Sequence, residues 1–258
     1  MKKIFYLLLL AGLIAACKSN QADDFKVEPG SIAYNDEARV LKKTYATAAD
    51  KSNEINTEER YTYDASGNLT RVDGYQFYQG KMGLVFYQED IYNAGGQRIR
   101  RTYYSKNAYN KWPAGREVEY EYENGVLKRE KAYYYVDNSQ DTRRLASVTV
   151  YEFKDGKKVR QKFYGDQNVL YYEIVYSYSN NILTLETVYN EKGEVTRTFE
   201  HKFSGNRRQI SEHMPTMKEQ IALIEKTYDA KGRLSREETK VNNPLLCSMM
   251  AGFIRYHY

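Results

Sequence analysis

The stretch Tyr61-Thr62-Tyr63-Asp64-Ala65-Ser66-Gly67-Asn68-Leu69-Thr70-Arg71 returns near the other end of the chain as Thr227-Tyr228-Asp229-Ala230-Lys231-Gly232-Arg233-Leu234-Ser235-Arg236. In both, an aromatic residue closes an alternating segment, aspartate follows it, glycine comes three residues later, and leucine restarts the alternation. This is the chemistry of a short hairpin: the Asx side chain caps the turn backbone, and glycine takes the positive φ that a tight loop demands. Asp64 with Gly67 and Asp229 with Gly232 are the turn-forming pairs. Weaker copies start at Tyr34, Tyr92, Tyr122, Phe153, Tyr178 and Phe203, giving intervals of 29, 29, 30, 31, 25, 25 and 25 residues between successive aromatics. That regularity is the signature of a supersecondary repeat.

The segments between turns alternate with period two. In Glu117-Val118-Glu119-Tyr120-Glu121-Tyr122, valine and two tyrosines fall on one face and three glutamates on the other, the pattern of a half-buried antiparallel strand. Helical spacing is nearly absent; the ambiguous stretch is Met217–Lys226, after Pro215, which fits a helical turn or another strand, the strand being favoured. Tyr45, Tyr78, Tyr104, Tyr135, Tyr164 and Tyr189 lie near the far ends of strands leaving the regular turns, so the chain reverses again beyond each. Both series together imply about sixteen strands, above the roughly ten that an open twisted sheet holds without curling. The expected fold is all-β: an antiparallel meander of repeated hairpins rolled into a half-pipe or an open barrel.

Composition agrees with a single folded repeat domain. The 258 residues are 41% hydrophobic and 28% charged, with 27 Tyr, 9 Phe and 1 Trp and a mean hydropathy of -0.77, which excludes both a multi-span helical membrane protein and a disordered chain. Such a chain buries rings and presents polar tips. The N-terminus is a separate unit. Lys2 and Lys3 precede the apolar run Ile4–Ala16, which is shorter than the roughly 20 residues of a membrane span and reads as a signal peptide. Its removal takes the 39 basic residues to 37 against 34 acidic ones, a net charge of +3, so nucleic acid is not an expected partner.

Four resemblances add to this reading. Leu13-Ile14-Ala15-Ala16-Cys17 resembles the lipobox of bacterial lipoproteins, which implies that Cys17 carries palmitate-type acyl chains and becomes the mature N-terminus. Gln21-Ala22-Asp23-Asp24 resembles the surface-export signal of lipoproteins of the Bacteroidetes group, implying the outer face of the outer membrane. The units Tyr63-Asp64, Gly67, Leu69, Arg71 and Tyr228-Asp229, Gly232, Leu234, Arg236 resemble the YD repeat of the Rhs family, whose repeats build β-sheet shells and do no catalysis themselves. Only about eight units and no toxin-like tail are present here, which argues against a closed shell. A fainter likeness joins Tyr78-Gln79-Gly80-Lys81-Met82-Gly83 to the variant MORN repeats of some antitoxins. The organisation expected is a signal peptide over 1–16, a lipid-anchored tether with the export signal over 17–30, and the repeat domain over 31–258.

No catalytic constellation emerges. His201, His213 and His257 lack metal spacing, and no nucleophile elbow or phosphate-cradling glycine loop occurs. His201 shares a face with Phe199 and Phe203 and reads as a packed histidine, and Cys247 as a small buried hydrophobe. Acid pairs such as Glu119 with Glu121 or Glu237 with Glu238 are too frequent among 34 acids to mark a glycosidase. No enzyme activity, cofactor or metal is expected. Binding is expected on the sheet edge with unequal loops, at about 46–58, 79–83, 105–116, 136–145, 165–168 and 190–193, because loops free to vary carry specificity. The strongest candidates are Tyr109, Lys111 and Trp112 in the loop Ser105–Arg116; the alternative for Trp112 is a plug of the roll. A non-catalytic, surface-anchored binding or scaffold module for a protein or glycan is therefore the leading reading. The alternatives are a carrier of lipid or another small ligand and, behind it, a glycan-active enzyme. Cys17→Ser should move the protein from the detergent phase to the aqueous phase on cloud-point partitioning, since acyl chains would supply nearly all its membrane affinity; retention in detergent would overturn the lipobox reading.

Overall fold

The computed structural model describes residues 36, 38–47, 50–51, 53–107, 109–136, 142–217, 219–243, 245 and 251–258. Cys17, the tetrapeptide Gln21–Asp24, Tyr34 and Cys247 lie outside the described residues. The strands are β1 (Lys42–Ala46), β2 (Thr57–Tyr63), β3 (Leu69–Tyr78), β4 (Lys81–Tyr92), β5 (Arg98–Ser105), β6 (Ala114–Glu123), β7 (Val126–Tyr135) and β8 (Arg143–Lys154), followed by β9 (Lys157–Gly165), β10 (Leu170–Ser179), β11 (Ile182–Asn190), β12 (Val195–Ser204), β13 (Arg207–His213), β14 (Ala222–Tyr228), β15 (Leu234–Val241) and β16 (Gly252–His257). Each pairs antiparallel with its sequence neighbour, and β1 pairs with β16 from Lys42↔His257 to Ala46↔Phe253. The meander thus closes into a sixteen-stranded barrel, where the small number of repeats had argued against closure. Curling goes to completion because an unclosed sheet leaves two edges of unpaired backbone groups.

The regular turns all lie at one mouth, here the turn mouth, and they follow the expected chemistry. Gly67 and Gly232 have φ of 84° and 76°. Asp64 Oδ1 accepts from Asn68 N at 2.8 Å, and Asp229 Oδ1 from Lys231 N and Arg233 N at 2.9 Å each. The same five-residue loop also appears at the opposite, loop mouth, where Asn190 caps Lys192 and Glu194 and Asn107 caps Tyr109 and Lys111. The two mouths therefore share turn chemistry and differ in loop length and side chains.

The repeated tyrosine has a second task. Tyr63, Tyr92, Tyr122, Tyr178 and Tyr258 each donate a hydroxyl hydrogen bond, 2.6–3.0 Å long, to a main-chain carbonyl at or just before the start of the preceding strand: Val40, Leu69, Arg98, Lys158 and Leu234 respectively. The first four each follow a register shift, as between Ile91 and Tyr92, and a bulge of this kind re-aims the side chain. Phenylalanine fills the equivalent places at 153 and 203, without a hydroxyl. Tyr258 fills the eighth place around the ring.

One sheet face is concave. On it, burial pushes the amines of Lys43 and Lys158 below the ordinary lysine range and the phenols of Tyr61, Tyr151, Tyr176 and Tyr256 above the ordinary tyrosine range. Gly74 and Gly165 sit on this face under the rings of Phe86 and Tyr171, where a Cβ would approach to 2.0 and 2.6 Å. An apolar cluster of Val118, Tyr120 and Ala132 with Tyr103, Tyr122 and Leu127 packs here. Tyr122→Phe removes one hydroxyl from the ring of clasps and leaves the Arg98 carbonyl without that partner. It should lower stability by about 1 kcal/mol in a denaturant titration, whereas Tyr109→Phe at an exposed loop tip should leave the midpoint unchanged.

Candidate functional site

Exposed large hydrophobics gather at the loop mouth. Five rings, Phe77, Tyr78, Tyr109, Tyr134 and Tyr171, stand in solvent there, Tyr109 being 83% and Tyr78 73% exposed. Ile55, Val136, Val169, Val195 and Leu245 add aliphatic surface on the same rim. At the turn mouth only Leu41, Ile91 and Ile99 are comparably exposed among the described residues. Each of these rim residues flanks or lies within a loop-mouth connection, so strand alternation places the rings around one opening.

The three residues expected to bind occupy different places. Asn107 Oδ1 accepts from Tyr109 N and Lys111 N at 3.0 Å each, and Asn110 takes the left-handed position at φ 59°. This turn projects Tyr109 and Lys111 into solvent. Trp112 is half-buried and lies on the outer wall, with its ring centroid 5.5 Å from that of Tyr87. Tyr87 stacks on Tyr104 at 4.5 Å and 17°, and Arg71 lies 4.0 Å from the centroid of Tyr87. Trp112 thus extends an external aromatic shelf and does not plug the lumen.

Below the shelf, buried Glu117 gathers strands β5 to β8. Its carboxylate accepts from Tyr135 Oη at 2.8 Å, ion-pairs with Arg143, and lies 4.0 Å from Arg100 Nε. Burial, then the Glu117 charge, push the Tyr135 phenol up to about 12. Charged ladders continue around the outer wall, as in Arg71 with Asp73 and Glu89, or Arg160 with Glu152 and Glu173. Lipid contact requires an apolar outer band about 25 Å tall. These ladders set paired charges on the outer wall instead.

Two hollows open at the loop mouth. A cleft of about 640 Å³ on the rim is lined by Asn53, Glu54, Ile55, Asn56, Glu58, Phe77 and Met82. A second, of about 480 Å³, enters the lumen beside Tyr45, Thr57, Ile224, Glu237, Thr239 and Ile254. Deeper on the same inner arc, Lys43 Nζ lies 5.2 and 5.1 Å from the ring centroids of Tyr61 and Tyr256, and Tyr45 Oη donates to Glu59 at 2.8 Å. Of the acid pairs, Glu119 and Glu121 are both engaged by bases on the outer wall, through Arg143, Lys131 and Arg129. Glu237 and Glu238 are adjacent strand residues and point to opposite faces.

His201 is buried among charges on the inner face and not in an apolar pocket. Its Nδ1 faces Arg208 Nη2 at 3.0 Å, and its Nε2 lies 3.0 Å from Glu186 Oε1, poorly aligned for a hydrogen bond. The lumen lysines and the Asp36 cluster described below had no motif to announce them. Tyr258 did have a signal, since it follows Tyr228 by 30 residues, the spacing of the earlier repeats.

No protein-family model matches the chain, and no curated protein matches it. Among solved structures, a porin-like protein from Bacteroides vulgatus is 11% identical over 86% of this chain and 99% of its own, with a TM-score of 0.46. A porin-like protein from Bacteroides uniformis is 10% identical over 84% and 95%, with a TM-score of 0.40. A TcdB2-TccC3 structure is 11% identical over 77% of this chain but 14% of its own, with a TM-score of 0.22. None of these similarities carries an activity or a partner across.

The phenols of the barrel predict its alkaline behaviour. Burial raises those of Tyr63, Tyr92 and Tyr122 and brings those of Tyr120 and Tyr258 up to about 12. A raised folded-state value contributes stability that is fully present below the ordinary 10 and is lost as pH rises through the folded value. The thermal midpoint should therefore hold up to about pH 10 and fall steeply between about 10 and 12; a midpoint flat to pH 12 would contradict the buried tyrosine face.

Proposed function

We propose that this protein is a non-catalytic binding module, attached to the outer membrane by acyl chains on Cys17 and displayed on the cell surface, whose loop mouth engages a protein or glycan. The observation that carries this reading is the collection of exposed rings on one mouth of a barrel whose outer wall is charged. Exposed apolar groups gathered this way on a water-facing protein mark a contact surface. Tyrosine suits that task because it offers a large, stiff, amphipathic contact at little entropic cost. Asp36, the first described residue, lies with turn-mouth groups near Tyr228. A tether leaving there supports an orientation in which the loop mouth points away from the membrane.

A second reading, a carrier of a small amphipathic ligand, draws support from the lumen hollow of about 480 Å³ beside Tyr45, Ile224 and Ile254. One experiment separates the two. The soluble Cys17→Ser protein is applied to a glycan array and to surface proteins of neighbouring cells, and binding is compared with that of Tyr109→Ala and Ile224→Trp. Tyr109→Ala should weaken a rim ligand by about 1–2 kcal/mol at an unchanged melting temperature, while Ile224→Trp has no effect on it. Loss of binding only in Ile224→Trp would favour the carrier. Trp112→Ala should lower affinity and melting temperature together, since Trp112 packs on Tyr87.

A further inference from the structure

The ring of clasps lacks a hydroxyl at Phe153 and Phe203, and at one tyrosine position the hydroxyl is redirected. Tyr228 follows a register shift as Tyr63, Tyr92, Tyr122 and Tyr178 do, yet its hydroxyl donates to a carboxylate, Asp36 Oδ1, at 2.6 Å. The other oxygen, Asp36 Oδ2, receives Arg208 Nη1 and Lys226 Nζ at 3.0 Å each. Arg208 and Lys226 are cross-strand partners on β13 and β14, and Tyr228 lies two residues beyond Lys226. Three donors from two strands thus converge on a single carboxylate at the inner wall.

The donors are positioned by groups other than Asp36. Arg208 Nη2 lies 3.0 Å from His201 Nδ1, whose Nε2 is in turn 3.0 Å from Glu186, and the guanidinium stands 5.3 Å from the centroid of Phe203. Lys226 Nζ has Glu237 at 3.6 Å, and the Tyr228 ring is fully buried. Burial disfavours the Asp36 anion, but Lys226, Tyr228 and Arg208 outweigh it and hold that carboxyl below the ordinary aspartate range. The donors divide between the two oxygens of one planar group, the geometry of carboxylate recognition. A repeat rule broken where cations converge marks a site built for a purpose.

We propose that Arg208, Lys226 and Tyr228 form a carboxylate-binding site on the inner wall, held by the chain's own Asp36 when no ligand is present and by a ligand's carboxylate once Asp36 is displaced. Asp36 acts at the high effective concentration of a tethered group, so a simple carboxylate displaces it only near molar concentration, whereas one that makes further contacts in the lumen displaces it more readily. The inference is independent of what the rim binds.

The test is chemical rescue in the full-length Cys17→Ser protein, with acetate as probe. Asp36→Ala should melt lower than its parent, and acetate should raise its midpoint saturably above the effect of chloride at equal ionic strength. Asp36→Ala combined with Arg208→Gln should respond to acetate no more than to chloride. A midpoint that acetate moves no further than chloride would overturn the proposal, leaving a clasp specific to Asp36. Equal rescue by inorganic phosphate would overturn the carboxylate assignment. If Asp36→Ala does not fold, the 13C carboxyl resonance of Asp36 in the parent decides: acetate at about 1 M should bring its titration toward the ordinary aspartate range, and a titration identical in acetate and chloride would refute displacement.

Discussion

In this sixteen-stranded sheet the apolar cluster around Val118, Tyr120 and Ala132 spans β5 to β7, too small an arc to set the curvature of the whole barrel. Among the described residues each strand's backbone lies against those of its two hydrogen-bonded neighbours alone, so the geometry is held along the sheet. The tyrosine clasp does this at the turn mouth. Its hydroxyl joins one turn to the strand start beside the preceding turn, and the bulge before it supplies both the aim of the ring and local twist. Clasps at five of the eight places, Tyr63, Tyr92, Tyr122, Tyr178 and Tyr258, tie a strand end to the start of the strand before it. Tyr258 completes the ring by bonding Leu234, and Tyr63 bonds Val40 just ahead of β1, so clasps flank the β1–β16 seam on both sides.

With curvature held at the ends, the two faces are free to take opposite chemistries. The outer wall carries Arg–Glu ladders, each exposed pair contributing under about 1 kcal/mol. The inner wall carries rings and stems, with cations laid against them: Lys43 between Tyr61 and Tyr256, Arg98 over Tyr120, Lys158 over Tyr176. Cations on aromatic faces keep partial solvation while covering apolar area. That combination suits a wall that is concave and yet not dry.

Local chemistry was legible in the sequence because it repeats. Asp64 with Gly67 and Asp229 with Gly232 announce turns through residue types suited to an Asx cap and a positive φ, and the alternation around Val118 and Tyr120 announces strands. Closure was harder to see: it depends on the register between Lys42–Ala46 and Phe253–His257, two short segments some two hundred residues apart with no motif in either. The charge clusters were hidden for the same reason, since Asp36 meets Arg208 and Lys226 across 172 and 190 residues. His201 shows the limit of a one-strand reading. Its own strand offers Phe199 and Phe203, but Glu186 and Arg208 arrive from the strands on either side and decide its environment.

The two mouths then differ in what their backbones demand. At the turn mouth the clasp, the bulge and the Asx cap all act on the same few residues, and any change there disturbs strand pairing on both sides. At the loop mouth the strands need only be reconnected, and turns as unlike as Gln79-Gly80 and Asn107–Lys111 do it equally well. Side chains at that rim are therefore released from structural duty, and they are also where the rings face solvent. An exposed ring costs solubility unless something covers it some of the time. Tyr78 and Tyr109 stand 73% and 83% exposed beside these turns, in line with the proposal that the rim is a contact surface.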